Sequence, residues 1–208
     1  MLRLWVNSLA GIALVLAMFA NAHGLTVYSE SVNGDLSNNG LSPTVVTLAV
    51  GSNEVFGSTG RDSSGVSDRE YFTIFVPANL MLAQLIEVAG TEAGGGRSLG
   101  FIGMQSGTQV TLPTNTTTAA GLLGWIHYGP TATDIDILPS MGISANDSTG
   151  FVPPLGPGSY SFWIQDTTTG AFDYGFRIVL AAVPEPSTGA LMITGLLVLW
   201  RFFRRRNN

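Results

Sequence analysis

Five large apolar residues, Phe172, Tyr174, Phe176, Ile178 and Leu180, alternate with Asp173, Gly175 and Arg177. A period of two places those five side chains on one face of an extended strand, and it is incompatible with a helix, whose apolar stripe recurs every three to four residues. The segment therefore needs strand partners and something to cover its apolar face. The same alternation sets Phe72, Ile74 and Val76 on one side of a strand, and sets Tyr160, Phe162 and Ile164 against Ser159, Ser161 and Gln165. Shorter β-prone runs at 25–30, 44–50, 80–88, 99–104 and 122–128 are separated by turn formers such as Asn38-Asn39-Gly40 and the Pro/Gly-rich stretch 153–158. The run at 79–88 is also compatible with a helix. Eight or so short strands without a long amphipathic helix predict an all-β chain, a single antiparallel β-sandwich over residues 23–182.

Both ends of the 208-residue chain have the character of targeting segments instead of core. Met1-Leu2-Arg3 is a short basic start, residues 4–19 form an apolar run, and Ala20-Asn21-Ala22 is a small-x-small site for signal peptidase. Residues 1–22 are thus expected to be a cleaved signal peptide that leaves His23 as the new N-terminus. At the other end, Pro184-Glu185-Pro186 precedes an apolar run expected to form a transmembrane helix at about 188–203. Arg201, Arg204, Arg205 and Arg206 are expected to act as the membrane stop and to orient the basic end to the cytoplasm. Two prolines around one acid resist both helix and central strand, so this strip should be extended and open to a processing enzyme.

With cysteine absent, thiol catalysis, disulfides and thiolate metal sites are all excluded. Between residues 23 and 182 thirteen carboxylates face only four arginines, Arg61, Arg69, Arg97 and Arg177, and the chain has no lysine. Nucleic acid and other polyanions are disfavoured partners for such a surface.

In its order of parts the tail at 183–208 resembles the PEP-CTERM sorting signal: Pro184-Glu185-Pro186, then an apolar helix, then terminal arginines. That resemblance implies cleavage by exosortase, a membrane transpeptidase, in a bacterium that makes exopolysaccharide. The alternative is an ordinary C-terminal anchor with a proline linker. Asp35-Leu36-Ser37, the stretch from Ser67 to Pro77 and the stretch from Gly156 to Gln165 resemble, more loosely, the bacterial pre-peptidase C-terminal domain. This second resemblance implies a small jelly-roll-like sandwich that serves as a non-catalytic accessory or binding module.

Chemistry-bearing residues are few. The two histidines, His23 and His127, lack a Gly-x-Ser-x-Gly elbow, which argues against a serine hydrolase. An N-terminal His23 together with His127 could bind copper, since imidazole suits that ion. The pair resembles the histidine brace of lytic polysaccharide monooxygenases, which would make the chain a copper-dependent polysaccharide oxidase. Asp35 to Gly40 spaces oxygen side chains as calcium loops do, but Val46 stands where a bidentate glutamate belongs, so an Asx-type turn is preferred. Asp134, Asp136 and the acids between Asp62 and Glu70 could also serve calcium. No cofactor is otherwise expected. The threonine runs at 114–118 and 167–169 read as loops that could carry glycans. The functional expectation is an exported, exosortase-sorted surface or extracellular-matrix protein. It is expected to be non-catalytic and to bind exopolysaccharide through exposed aromatics such as Trp163.

Overall fold

A computed structural model describes residues 24–95, 100–130 and 134–184. In chain order the elements are β1 (Leu25–Ser29), α1 (Glu30–Asn33), β2 (Thr44–Val45), β3 (Gly51–Arg61), β4 (Ser67–Val76), β5 (Leu80–Glu87), β6 (Gly100–Ser106), β7 (Gly124–Tyr128), β8 (Ile135–Asp136), α2 (Leu138–Met141), β9 (Gly158–Asp166) and β10 (Gly170–Ala182). The chain is all-β and mostly antiparallel, a curled sheet in the order β7-β6-β9-β4-β3-β10-β5-β8, with β1 added parallel to β3 and β2 parallel to β4. The expected signal peptide and all of the tail beyond Pro184 lie outside the described residues. Among the described residues no helix is long and apolar enough to cross a membrane.

The sheet bends where β3 meets β4, because only Gly60↔Asp68 and Arg61↔Ser67 pair there. Beyond those two pairs the strands part, and β3 takes β1 as its neighbour from Asn53 to Phe56. The two halves of the sheet share one apolar core, since the inward residues of β4, β9 and β6 cluster with those of β3, β5 and β10. Phe72 stacks on its cross-strand partner Phe162 at 4.7 Å, and Tyr128 of β7 meets Phe176 of β10 edge-on at 5.2 Å. Aromatic pairs in these geometries add about 0.5–1.5 kcal/mol beyond the area they bury.

The alternation in β4, β9 and β10 predicts their inner faces, with Tyr174, Phe176, Ile178 and Leu180 in the core and Phe172, at the open start of β10, only half-buried. The ambiguous run at 79–88 is a strand. Two expectations are corrected. The strand expected at 44–50 shrinks to Thr44–Val45, after which the chain leaves the sheet to seat Val46 in the core. Central strand β3, eleven residues long, was not anticipated, because Gly, Ser, Asn and Thr dominate it. Its polar residues are accommodated individually. Buried Asn53 accepts from the Ala49 amide at 2.7 Å and donates to the carbonyls of Ala49, Gly51 and Ile178, which ties the irregular segment before β3 to the sheet. Glu54 receives the Arg177 guanidinium at 2.9 Å from the adjacent strand.

Candidate functional site

Outward-facing residues of β4, β9, β6 and β7 build a row of rings. Tyr71 stacks against Trp163 at 5.7 Å, Trp163 meets Phe101 edge-on at 5.2 Å, Phe101 stacks on Trp125 at 5.9 Å, and Trp125 meets His127 edge-on at 5.3 Å. Gly103 makes the row possible. It is the cross-strand partner of both Trp163 and Trp125, and a Cβ there would lie 2.8 Å from the Phe101 ring, which fills the gap instead. Gly124, the first residue of β7, lies so close to α2 that a Cβ would collide with the Met141 carbonyl oxygen.

Val110, Leu112, Ala119 and Leu122, from the connection between β6 and β7, pack onto the Tyr71–Trp163 end of this row as a second apolar cluster. Trp163 does face away from Tyr160 and Phe162, but it is only 3 % exposed, so the expectation of an exposed Trp163 is corrected: the loop covers it. Its indole N–H has no partner. The half-buried rings at the open end are Phe101 and Trp125, and the Trp125 indole donates to the Ala145 carbonyl at 3.1 Å. Between the loop and the sheet a cleft of about 220 Å³ is lined by these rings, by Thr114 and Thr116 to Thr118, and by Asn146 and Gln165. Among the described residues no charged side chain lines it, although the protein is acidic.

A second constellation lies where the chain leaves β1. Glu30, Asp35 and Glu70 place one carboxylate oxygen each within 4.8 Å of one another. The Glu30 carboxylate accepts from the Ser58 amide at 2.8 Å and from the Tyr174 hydroxyl at 2.9 Å. Gly57 permits that approach, since a Cβ there would meet both the Glu30 carboxyl and the Tyr174 hydroxyl. Glu70 is 0 % exposed, its carboxyl lies against that of Glu30, and neither of its oxygens receives a hydrogen bond from an N–H or hydroxyl donor. Burial, and then the charges of Glu30, Asp68 and Asp35, push its carboxyl up to about 10. Burial also raises Glu30 and Asp35.

The remaining sequence-predicted residues divide as follows. Pro184 is exposed just past the end of β10; Glu185, Pro186, Arg201, Arg204, Arg205 and Arg206 lie outside the described residues. His23 lies outside them too. His127 is exposed on β7, with Nδ1 donating to the Gly100 carbonyl at 2.9 Å. The Asp35–Gly40 segment does not form a self-contained cation loop. Its Asn39 and Ser37 make local turn bonds, Asn38 bonds the Arg69 amide and the Asp68 carboxylate, and Val46 is a core residue. Asp62 closes an Asx turn with the amides of Ser64 and Val66. Asp136 holds the amides of Leu85 and Leu138, while Asp134 lies 3.9 Å from Arg177. Sequence reasoning did not single out Glu30 or Phe101, and it read the threonine run 114–118 as a loop without assigning it to a cover over the sheet. Glu70 carried a signal, because it shares parity with Phe72, Ile74 and Val76 and so must point inward.

No protein-family model, no curated protein and no solved structure matches the chain.

Proposed function

We propose that the chain is an exported, exosortase-sorted surface or matrix protein whose β domain, a jelly-roll-like sandwich, is a non-catalytic module that binds neutral glycan in the Phe101–Trp125 cleft. The observation that carries the binding reading is the cleft itself. Aromatic faces pack against sugar C–H groups, and the threonine hydroxyls and the Asn146 and Gln165 amides can exchange hydrogen bonds with sugar hydroxyls. An uncharged ligand suits a recess that no basic residue lines among the described residues of an acidic protein. The three stretches that resemble the pre-peptidase C-terminal domain are neighbours in space, β4 pairing with β9 from Arg69↔Gln165 to Val76↔Gly158 and Ser37 bridging to Tyr71, which supports reading them as one module.

Export and sorting rest on the two terminal sequences. They gain support from the way the sheet ends: β10 closes at Ala182, the Val183 amide bonds the Asn79 carbonyl at 3.0 Å, and Val183 and Pro184 are exposed, so the Pro-Glu-Pro strip starts outside the strand ladder. Two measurements test the proposal. Titration of the full-length chain with neutral oligosaccharides of the host's exopolysaccharide should quench tryptophan emission, and Trp125→Ala should abolish the effect. Mass spectrometry of the mature protein from the native cell should find a C-terminus near 183–187. An intact Asn208 would sink the sorting reading, and an unaltered quench in Trp125→Ala would sink the glycan reading.

A further inference from the structure

We propose that Glu30, Asp35 and Glu70 bind a calcium ion that ties the segment following β1 to strand β4. Its three donors come from three places in the chain: Glu30 opens α1, Asp35 lies in the connection after it, and Glu70 is within β4. Three oxygens mutually within 4.8 Å stand close enough for small side-chain rotations to bring all of them to a Ca–O distance of about 2.4 Å from one ion.

Glu70 carries the argument. A carboxylate removed from water without a partner is among the most unfavourable groups a fold can contain, so it is met by a proton or by a cation. A proton shared with Glu30 would satisfy one oxygen of Glu70 and leave the other buried and bare. A cation offsets the charge of the whole carboxylate, and at the same time neutralises the repulsion among three acids. No side chain does this. Arg177 pairs with Glu54 and Asp134, and among the described residues no guanidinium pairs with any of the three acids. Glu30, meanwhile, is already oriented toward Glu70 by the Ser58 amide and the Tyr174 hydroxyl, the kind of support that fixes a metal-binding carboxylate.

The donor set selects the ion. Three carboxylates without nitrogen or sulfur suit a hard cation. Mg²⁺ keeps most of its water and is poorly matched to a carboxylate as enclosed as Glu70, whereas Ca²⁺ accepts six to eight oxygens in flexible geometry. Exposed Asp35 leaves one side open for entry and for the waters that complete the shell. This site lies apart from the aromatic cleft, and it stands or falls independently of the glycan reading.

The test uses the full-length chain, stripped with EGTA. Terbium should bind one saturable site with emission sensitised by Tyr174, whose hydroxyl bonds Glu30, and Ca²⁺ should displace it. Ca²⁺ should also raise the melting temperature, because an ion that binds only the folded state stabilises it. Glu70→Gln should weaken Ca²⁺ by at least about 100-fold, and Asp35→Asn by about tenfold, as donor charge is removed. Absence of both terbium emission and a calcium-dependent melting shift in the parent overturns the proposal. So does a Glu70→Gln chain that keeps the calcium response, which would assign Glu70 to a proton. Should Glu70→Gln fail to fold, the exposed Asp35→Asn decides: unchanged calcium affinity there overturns the site.

Discussion

Two cross-strand aromatic pairs sit one residue apart on β4 and β9. Phe72 and Phe162 stack at 4.7 Å and 9° on the inner face, while Tyr71 and Trp163 stack at 5.7 Å and 27° on the outer one. The inner pair is enclosed by strands from both halves of the sheet. The outer pair is enclosed by a loop, and its row of rings runs out into solvent at Trp125 and His127. Strands held by ladders on both sides open only with the whole fold, whereas a loop can lift by itself. Stability should therefore reside on the inner face and recognition on the outer.

The sharpest way to break that contrast is Phe162→Ala, which should cost about 3–5 kcal/mol, a large share of the ~5–15 kcal/mol available to a typical domain. Chemical denaturation measures it. Trp163→Ala should cost less, about 2 kcal/mol, because the loop can collapse into the space and an unpartnered buried N–H is removed with the ring. Hydrogen exchange should then accelerate chiefly in residues 107–123. Equal cost and global exchange would make the outer cluster part of the main core.

Alkaline titration reads the same contrast more gently. Burial pushes Tyr71 up to about 12 and also raises Tyr128 and Tyr174 of the inner face. The folded state holds these protons more tightly than the unfolded chain does, so the stability is intact below the unfolded tyrosine value near 10 and is lost as pH rises toward 12. In an ultraviolet titration Tyr71 should ionise before the global unfolding that releases the other two. The smallest effect on stability is expected from Trp125→Ala, under about 1 kcal/mol at a half-exposed site, although it should remove glycan binding altogether. A change in melting temperature as large as that of Trp163→Ala would refute the division of roles.

How far the sequence discloses this division depends on range. Parity along a strand is local, and it correctly separates Phe162 from Trp163 and points Glu70 inward. Whether an outward residue meets water is not local. Trp163 is covered by Val110, Leu112, Ala119 and Leu122, which lie in a threonine-rich connection without a sustained apolar period, so the sequence does not mark them as a cover. Strand β3 escaped notice for a related reason: its Ser, Gly and Thr residues are dictated by close neighbours and buried hydrogen bonds, not by an apolar face. The acid cluster needs the pairing of segments thirty or more residues apart, so Glu70 was readable as inward-pointing but its companion Glu30 was not.

The termini of the sheet have a mechanical consequence. Leu25 at the start of β1 and Ile178 near the end of β10 both pair with Asn53, one on each side of β3. The chain thus enters and leaves the fold at the same end, with its first and last strands separated by a single strand, about 10 Å apart. A pull on Pro184 is transmitted along the axis of the thirteen-residue β10, which is hydrogen-bonded to β3 on one side and β5 on the other. Such a load shears many bonds at once instead of unzipping them one after another. Tension on the C-terminal tail would accordingly meet the most resistant strand in the sheet, while the rings at Trp125 lie off the line of force, out toward the far edge beyond β4, β9 and β6.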